Sequence, residues 1–122
     1  RSWWTIRNLP NVMMLHFNTM KSDLPGSIRR IAKFLDIPVD DAKFASIVEH
    51  CTFDYMKAHA DKSAPLGGAL WEGGGASFIN KGTNGRWHDL LSKDDVAAYE
   101  ARALKELGPD CARWLATGEM PR

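Results

Sequence analysis

The stretch "NVMMLHF", Asn11 to Phe17, decides the fold class. Val12 to Phe17 is a short apolar run bounded by turn formers, the pattern of a buried strand. An almost unbroken apolar strand is the mark of a parallel sheet covered on both faces. The turn "KSDLPGS" follows, and then "IRRIAKFLD". In the latter Ile28, Ile31, Ala32 and Leu35 recur at three and four, leaving Arg29, Arg30 and Lys33 elsewhere on the helix. A strand feeding an amphipathic helix is one unit of an alternating α/β fold. A single strand makes no sheet, so this reading expects further strands outside the 122 residues.

Upstream, "SWWTIRN" has apolar residues at helical spacing and reads as the tail of a helix, broken at "LPN" because Pro10 disfavours helix in the residue before it. Downstream, Pro38 ends the first helix, and "DDAKFASIVEHC" starts another on acidic residues that suit the helix dipole. "TFDYMKAHA" reads as a further short helix. Asp61 to Ser77 holds five glycines and one proline, and so long a connection is expected to be functional or mobile. From Ser92 the pattern is helical again, with Ser92 and Asp95 at capping-box spacing. Gly108-Pro109 ends that helix, and "CARWLATG" reads as a last short one.

The composition, 44% hydrophobic and 25% charged, is that of a soluble globular protein, either one small domain or part of a larger one. A net charge of +1 gives no global field toward nucleic acid or an anionic membrane, so any anion must be met by a local site. The longest apolar stretch is far too short to span a bilayer, and "RSWWTIRNLP" lacks the apolar centre of a signal peptide. Cys51 and Cys111 match no metal spacing; free buried thiols in a reducing compartment are preferred here to a disulfide. The chain opens on Arg1 rather than Met, in what reads as mid-domain, and a portion of a longer protein is expected.

Two segments carry candidate chemistry. "FINKGTNGRW", Phe78 to Trp87, sets Lys81 between turn residues. Glycines let backbone N–H groups approach an anion, and the lysine adds a point charge. The segment lacks the spacing of a nucleotide-binding P-loop. On the residues alone a solvated loop is the commoner occupant of such a pattern, and an anion loop is the alternative. In "HCTFDYMK", His50 to Lys57, Phe53 either offers a face for base stacking or packs with Met56 as the buried edge of a helix. His16, His50, His59 and His88 fall at no metal-ligand spacing, and no carboxylate or nucleophile is arranged with them as a triad.

In order, these pieces resemble the C-terminal part of a sulfotransferase of the cytosolic type. "RSWWTIRNLPNVMMLHFNTMKSDLPGSIRRIAKFLDIPV" is similar to the family's W-W…P-N-V-L-x-L-x-Y-E-D-M-K-x-D…I-x-x-I-A-x-F-L-G run. "FASIVEHCTFDYMK" resembles its V-x-H-T-S-F-x-x-M-K segment, and "FINKGTNGRW" its F-x-R-K-G-x-x-G-D-W motif. The resemblance implies a P-loop-kinase-like α/β fold, of which residues 1–122 are the mostly helical C-terminal part with one parallel strand near residues 11–17. It implies transfer of a sulfuryl group from PAPS (3′-phosphoadenylyl sulfate) to a hydroxyl or amine of a small-molecule acceptor, in the cytoplasm. Lys81 and Gly82 would contact the 3′-phosphate, Phe53 would stack near the adenine, and Cys51 takes the place of a threonine that contacts the base. Phe78 and Ile79 would flank the nucleotide.

The departures are specific. Asn80 stands where the family has arginine, which removes a charge-assisted and bidentate phosphate contact. Arg86 replaces the aspartate of G-D-W and would compensate for that charge by turning inward. The residues from His88 onward do not reproduce the K-x-x-x-T-V-x-x-x-E segment through which many members dimerise. The family's phosphosulfate loop, catalytic lysine and histidine, and second 3′-phosphate motif all belong to the N-terminal half, so this chain holds no catalytic residue and needs that half as its partner. The competing reading is a non-catalytic helical interaction module derived from such an enzyme.

Overall fold

The computed structural model describes residues 2–121, and every element among them is helical. In order these are α1 (Ser2–Thr5), α2 (Phe17–Ser22), α3 (Leu24–Phe34), α4 (Asp41–His50), α5 (Phe53–Ala58) and α6 (Ala60–Ser63), then a 3₁₀ turn, Pro65–Gly68. They are followed by α7 (Gly74–Phe78), a second 3₁₀ turn (Arg86–Asp89), α8 (Lys93–Leu107) and α9 (Pro109–Thr117). The chain divides into two compact units. One is formed by its two ends, up to Ser27 and from Arg86 on, and the other spans Ile28–Gly85.

The strand expected near residues 11–17 is absent. Residues 12–16 carry no regular structure, and among the described residues no strand lies beside them to make a ladder. His16 does keep extended dihedrals (φ −113°, ψ 133°), but it serves as the N-cap of α2, its Nδ1 accepting the Asn18 N–H at 3.2 Å. Phe17 belongs to α2 and is 60% exposed, so the run is not the buried strand its apolarity suggests. An apolar run marks a preference for burial; the strand itself exists only where a neighbour accepts its backbone hydrogen bonds.

"KSDLPGS" is also helical rather than a turn. The Asp23 carboxylate accepts the Gly26 N–H at 2.9 Å, and Pro25, lacking a donor, falls in the first turn, where none is needed. Three later helices start where their sequence signals place them. Asp40 caps α4 through the Lys43 N–H, Thr52 caps α5 through the Tyr55 N–H, and Ser92 with Asp95 forms the full capping box of α8.

In the unit formed by the ends, Trp114 of α9 is the centre of an aromatic cluster. Its ring lies 5.5 Å from that of Trp4, and the His16 ring meets it edge-on at 5.4 Å. The His16 Nε2 also lies 3.0 Å from the Leu115 carbonyl, and Cys111 is buried nearby on the same helix. In the unit Ile28–Gly85, the glycine-rich connection is built of helical turns rather than open loop. Gly75 of α7 lies so close to the Ala60 carbonyl that a Cβ there would overlap it, and Gly68 meets the Gly74–Gly75 backbone in the same way. Close backbone approach of this kind selects glycine and buries Ala60 and Ala64 between the turns. Cys51, expected to be buried, is exposed at the end of α4, while Cys111 is buried; both are free.

Candidate functional site

All seven residues singled out from the sequence as a nucleotide site fall in the unit Ile28–Gly85. Phe53 opens α5 immediately after its N-cap Thr52. Lys57 lies one helical turn further along, on the same face by its spacing of four. Phe78 closes α7, Ile79 caps it, and the chain then leaves as the irregular segment of residues 80–85.

The fold brings Phe53 and Gly82 together. A Cβ added to Gly82 would stand 2.5 Å from the Phe53 ring, and Gly82 has φ +61° in the left-handed region. Both constraints, the space and the dihedral, select glycine at this position. A second tie joins the same two segments: the Lys57 ammonium donates a 2.6 Å hydrogen bond to the Asn80 carbonyl, across 23 residues of sequence. The ammonium also lies 5.6 Å from the centre of the Phe53 ring. Lys81, between the two tied residues, is exposed, and no described residue pairs with its side chain.

The other expected residues are placed less closely. Phe78 is 45% exposed and packs against Trp71, ring centres 4.5 Å apart. The Ile79 N–H bonds to the Gly75 carbonyl as the cap of α7. Cys51 sits at the end of α4, its N–H held by carbonyls of the last turn. Beside it, an aromatic stack runs from His50 to Tyr55 (4.3 Å) and from Tyr55 to His59 (4.1 Å), anchored by the His59 Nδ1 at 2.9 Å from the Tyr55 carbonyl.

Chemically, the arrangement offers an aromatic wall, a close-approach glycine and an uncommitted cation side by side. That set suits an anion attached to a planar ring. Among the described residues no group of His, Cys, Asp or Glu is placed to hold a metal ion. Sequence reading singled out Phe53, Lys81 and Gly82 and assigned no role to Lys57. Its only signal was its place at the end of "HCTFDYMK".

Comparison with known proteins defines the class. The family model of the sulfotransferase domain matches residues 1–108, and the chain belongs to the sulfotransferase family. It is 27% identical over 116 residues to the glycolipid sulfotransferase of Mycobacterium bovis (strain BCG / Pasteur 1173P2), across 94% of this chain and 35% of that protein. It is 26% identical over 102 residues to sulfotransferase 2B1 of Mus musculus, across 83% of this chain and 30% of that one. The crystal structure of mouse sulfotransferase SULT7A1 complexed with PAP superposes with a TM-score of 0.75 at 26% identity, covering 94% of this chain and 42% of that chain. The likeness supports the sulfotransferase fold, and the chain spans well under half the length of these relatives.

Proposed function

We propose that this chain is the C-terminal part of a single sulfotransferase domain and supplies the 3′-phosphate and adenine part of a PAPS site. The whole protein would transfer a sulfuryl group from PAPS to a hydroxyl or amine acceptor. The observation that carries this reading is the packing of Phe53 on Gly82 beside the uncommitted Lys81. The residues fit the nucleotide: Lys81 meets the 3′-phosphate through its ammonium and Gly82 by close backbone approach. Phe53 forms a wall for the adenine, Cys51 lies at its edge, and Phe78 and Ile79 flank it. Asn80 lacks the arginine charge of the family motif, so one charge-assisted phosphate contact is lost.

When bound, PAPS supplies the sulfuryl group; the residues described here hold its nucleotide end and do not take part in proton transfer. Transfer then depends on the N-terminal half of the domain, and the 122 residues alone bind without catalysing. Exposed apolar side chains, Leu66 (76%) and Leu70 (71%) in one unit and Leu90 (80%) in the other, support a reading in which more protein covers each of them. Two free cysteines support a reducing compartment and a cytoplasmic protein, and no helix among the described residues is long and apolar enough to cross a membrane.

The test is calorimetric titration of the intact protein with adenosine 3′,5′-bisphosphate. Lys81→Ala is expected to weaken binding by about tenfold, the cost of one charge-assisted contact. Equal affinity for both forms would remove Lys81 from the site. Asn80 favours one other reading, a non-catalytic module descended from such an enzyme. A strand followed by a P-K-S-G-T-T-like loop upstream in the reading frame supports the enzyme, and a start codon next to Arg1 supports the module.

A further inference from the structure

Lys57 is neither nucleophile nor phosphate ligand in the reading above, yet it makes a long-range side-chain hydrogen bond to the segment that carries Lys81. We propose that Lys57 is a positioning residue for the phosphate loop, an inference that rests on the PAPS-site reading. It acts by clamping the loop to α5 on one side of Lys81 while Phe53 clamps it on the other.

The two clamps are of different kinds and come from one helix. Phe53 and Lys57 are four residues apart on α5, so they project from the same face. Lys57 holds Asn80 by a 2.6 Å charge-assisted bond to its carbonyl, and Phe53 holds Gly82 by direct ring-on-backbone contact. Asn80 and Gly82 are the immediate neighbours of Lys81. The ammonium and the ring are also within cation–π range of each other, 5.6 Å, so each limits the rotamers of the other. An irregular segment of residues 80–85 has no ladder or helix to fix it, so its order must come from such contacts.

Holding both neighbours of Lys81 restricts the backbone from which its side chain projects. A loop ordered before the anion arrives does not pay that ordering cost on binding, and affinity rises accordingly. A bond to a main-chain carbonyl also works with any side chain at that position. The clamp therefore does not depend on whether asparagine or arginine stands at position 80.

The experiment is a double-mutant cycle in the intact protein, read by calorimetry with adenosine 3′,5′-bisphosphate and with adenosine 5′-monophosphate, which lacks the 3′-phosphate. Lys57→Met is expected to weaken the bisphosphate by about tenfold and the monophosphate by less than about twofold. A merely structural loss would weaken both alike and would overturn the proposal. In a Lys81→Ala background the effect of Lys57→Met on the bisphosphate should shrink to below about threefold, because the residue being positioned is gone. Fully additive losses would show that Lys57 acts independently of Lys81 and would overturn its positioning role. Lys57→Arg, which keeps a cationic donor, should restore the preference for the bisphosphate; failure to do so counts against the clamp. If Lys81→Ala leaves the 3′-phosphate preference intact, the site reading fails and Lys57 fails with it. If Lys81→Ala abolishes the preference and Lys57→Met leaves it, the role of Lys57 alone fails.

Discussion

Asn80 and Gly82 flank Lys81 and set opposite expectations for substitution. At position 80 the family motif has arginine, whose planar fork binds phosphate oxygens in pairs. Asn80→Arg is therefore expected to tighten adenosine 3′,5′-bisphosphate by about tenfold in a titration, the net value of one charged hydrogen bond. No change would mean that the side chain at position 80 does not face the phosphate. At Gly82 an alanine must adopt φ +61° and clear a ring 2.5 Å away. The dihedral alone costs about 1–2 kcal/mol. Gly82→Ala should therefore lower stability by at least about 1 kcal/mol in denaturant melts, and an unchanged midpoint would show that the Phe53 contact is dispensable. The sequence pattern exposed these positions because a glycine beside a lysine is a local signal. It could not expose Lys57, whose bond to Asn80 joins residues that only the fold brings together.

Among the elements, α8 carries the clearest local energetics. The Ser92 Oγ accepts the Asp95 N–H at 3.1 Å and donates to the Asp95 carboxylate at 2.6 Å. Ser92→Ala should lower stability by about 1 kcal/mol in denaturant melts, and an unchanged midpoint would show that the helix start is irrelevant to folding. The bond from the Ser92 hydroxyl, then that from its N–H, holds the Asp95 carboxyl below the ordinary aspartate value. A depressed folded pKa stabilises above the unfolded value, and that contribution is lost as pH falls through the folded one. Melts between about pH 4 and pH 2 should show an acid-side loss in the native protein that is smaller in Asp95→Asn. Identical profiles would contradict this.

The capping box was legible because Ser92 and Asp95 act within one turn. α2 was not, because its N-cap is His16, a residue without strong capping preference, inside a run that scored as strand. The segment Asp61–Ser77 was misleading for a related reason. Its glycines signal loop locally, but Gly68 and Gly75 serve close packing of helical turns against one another and against Ala60.

For the whole molecule, the family followed from order rather than from any one motif. The three segments lie at the spacing of a sulfotransferase, and the family model spans residues 1–108. Composition and charge pointed only to a globular chain, and the strand expected at residues 11–17 shows what they leave open. A parallel strand depends on partners elsewhere in the fold, so its backbone hydrogen bonds are beyond what a local apolar run specifies.

The central claim is that Lys81, Gly82 and Phe53 together read a 3′-phosphorylated adenine nucleotide. It is tested most directly by titrating the intact, unaltered protein with adenosine 3′,5′-bisphosphate and with adenosine 5′-monophosphate under identical conditions. The account predicts tighter binding of the bisphosphate by at least about tenfold, since only that ligand presents the charge Lys81 is placed to meet. Equal affinity for the two nucleotides, or no binding of either, would contradict it.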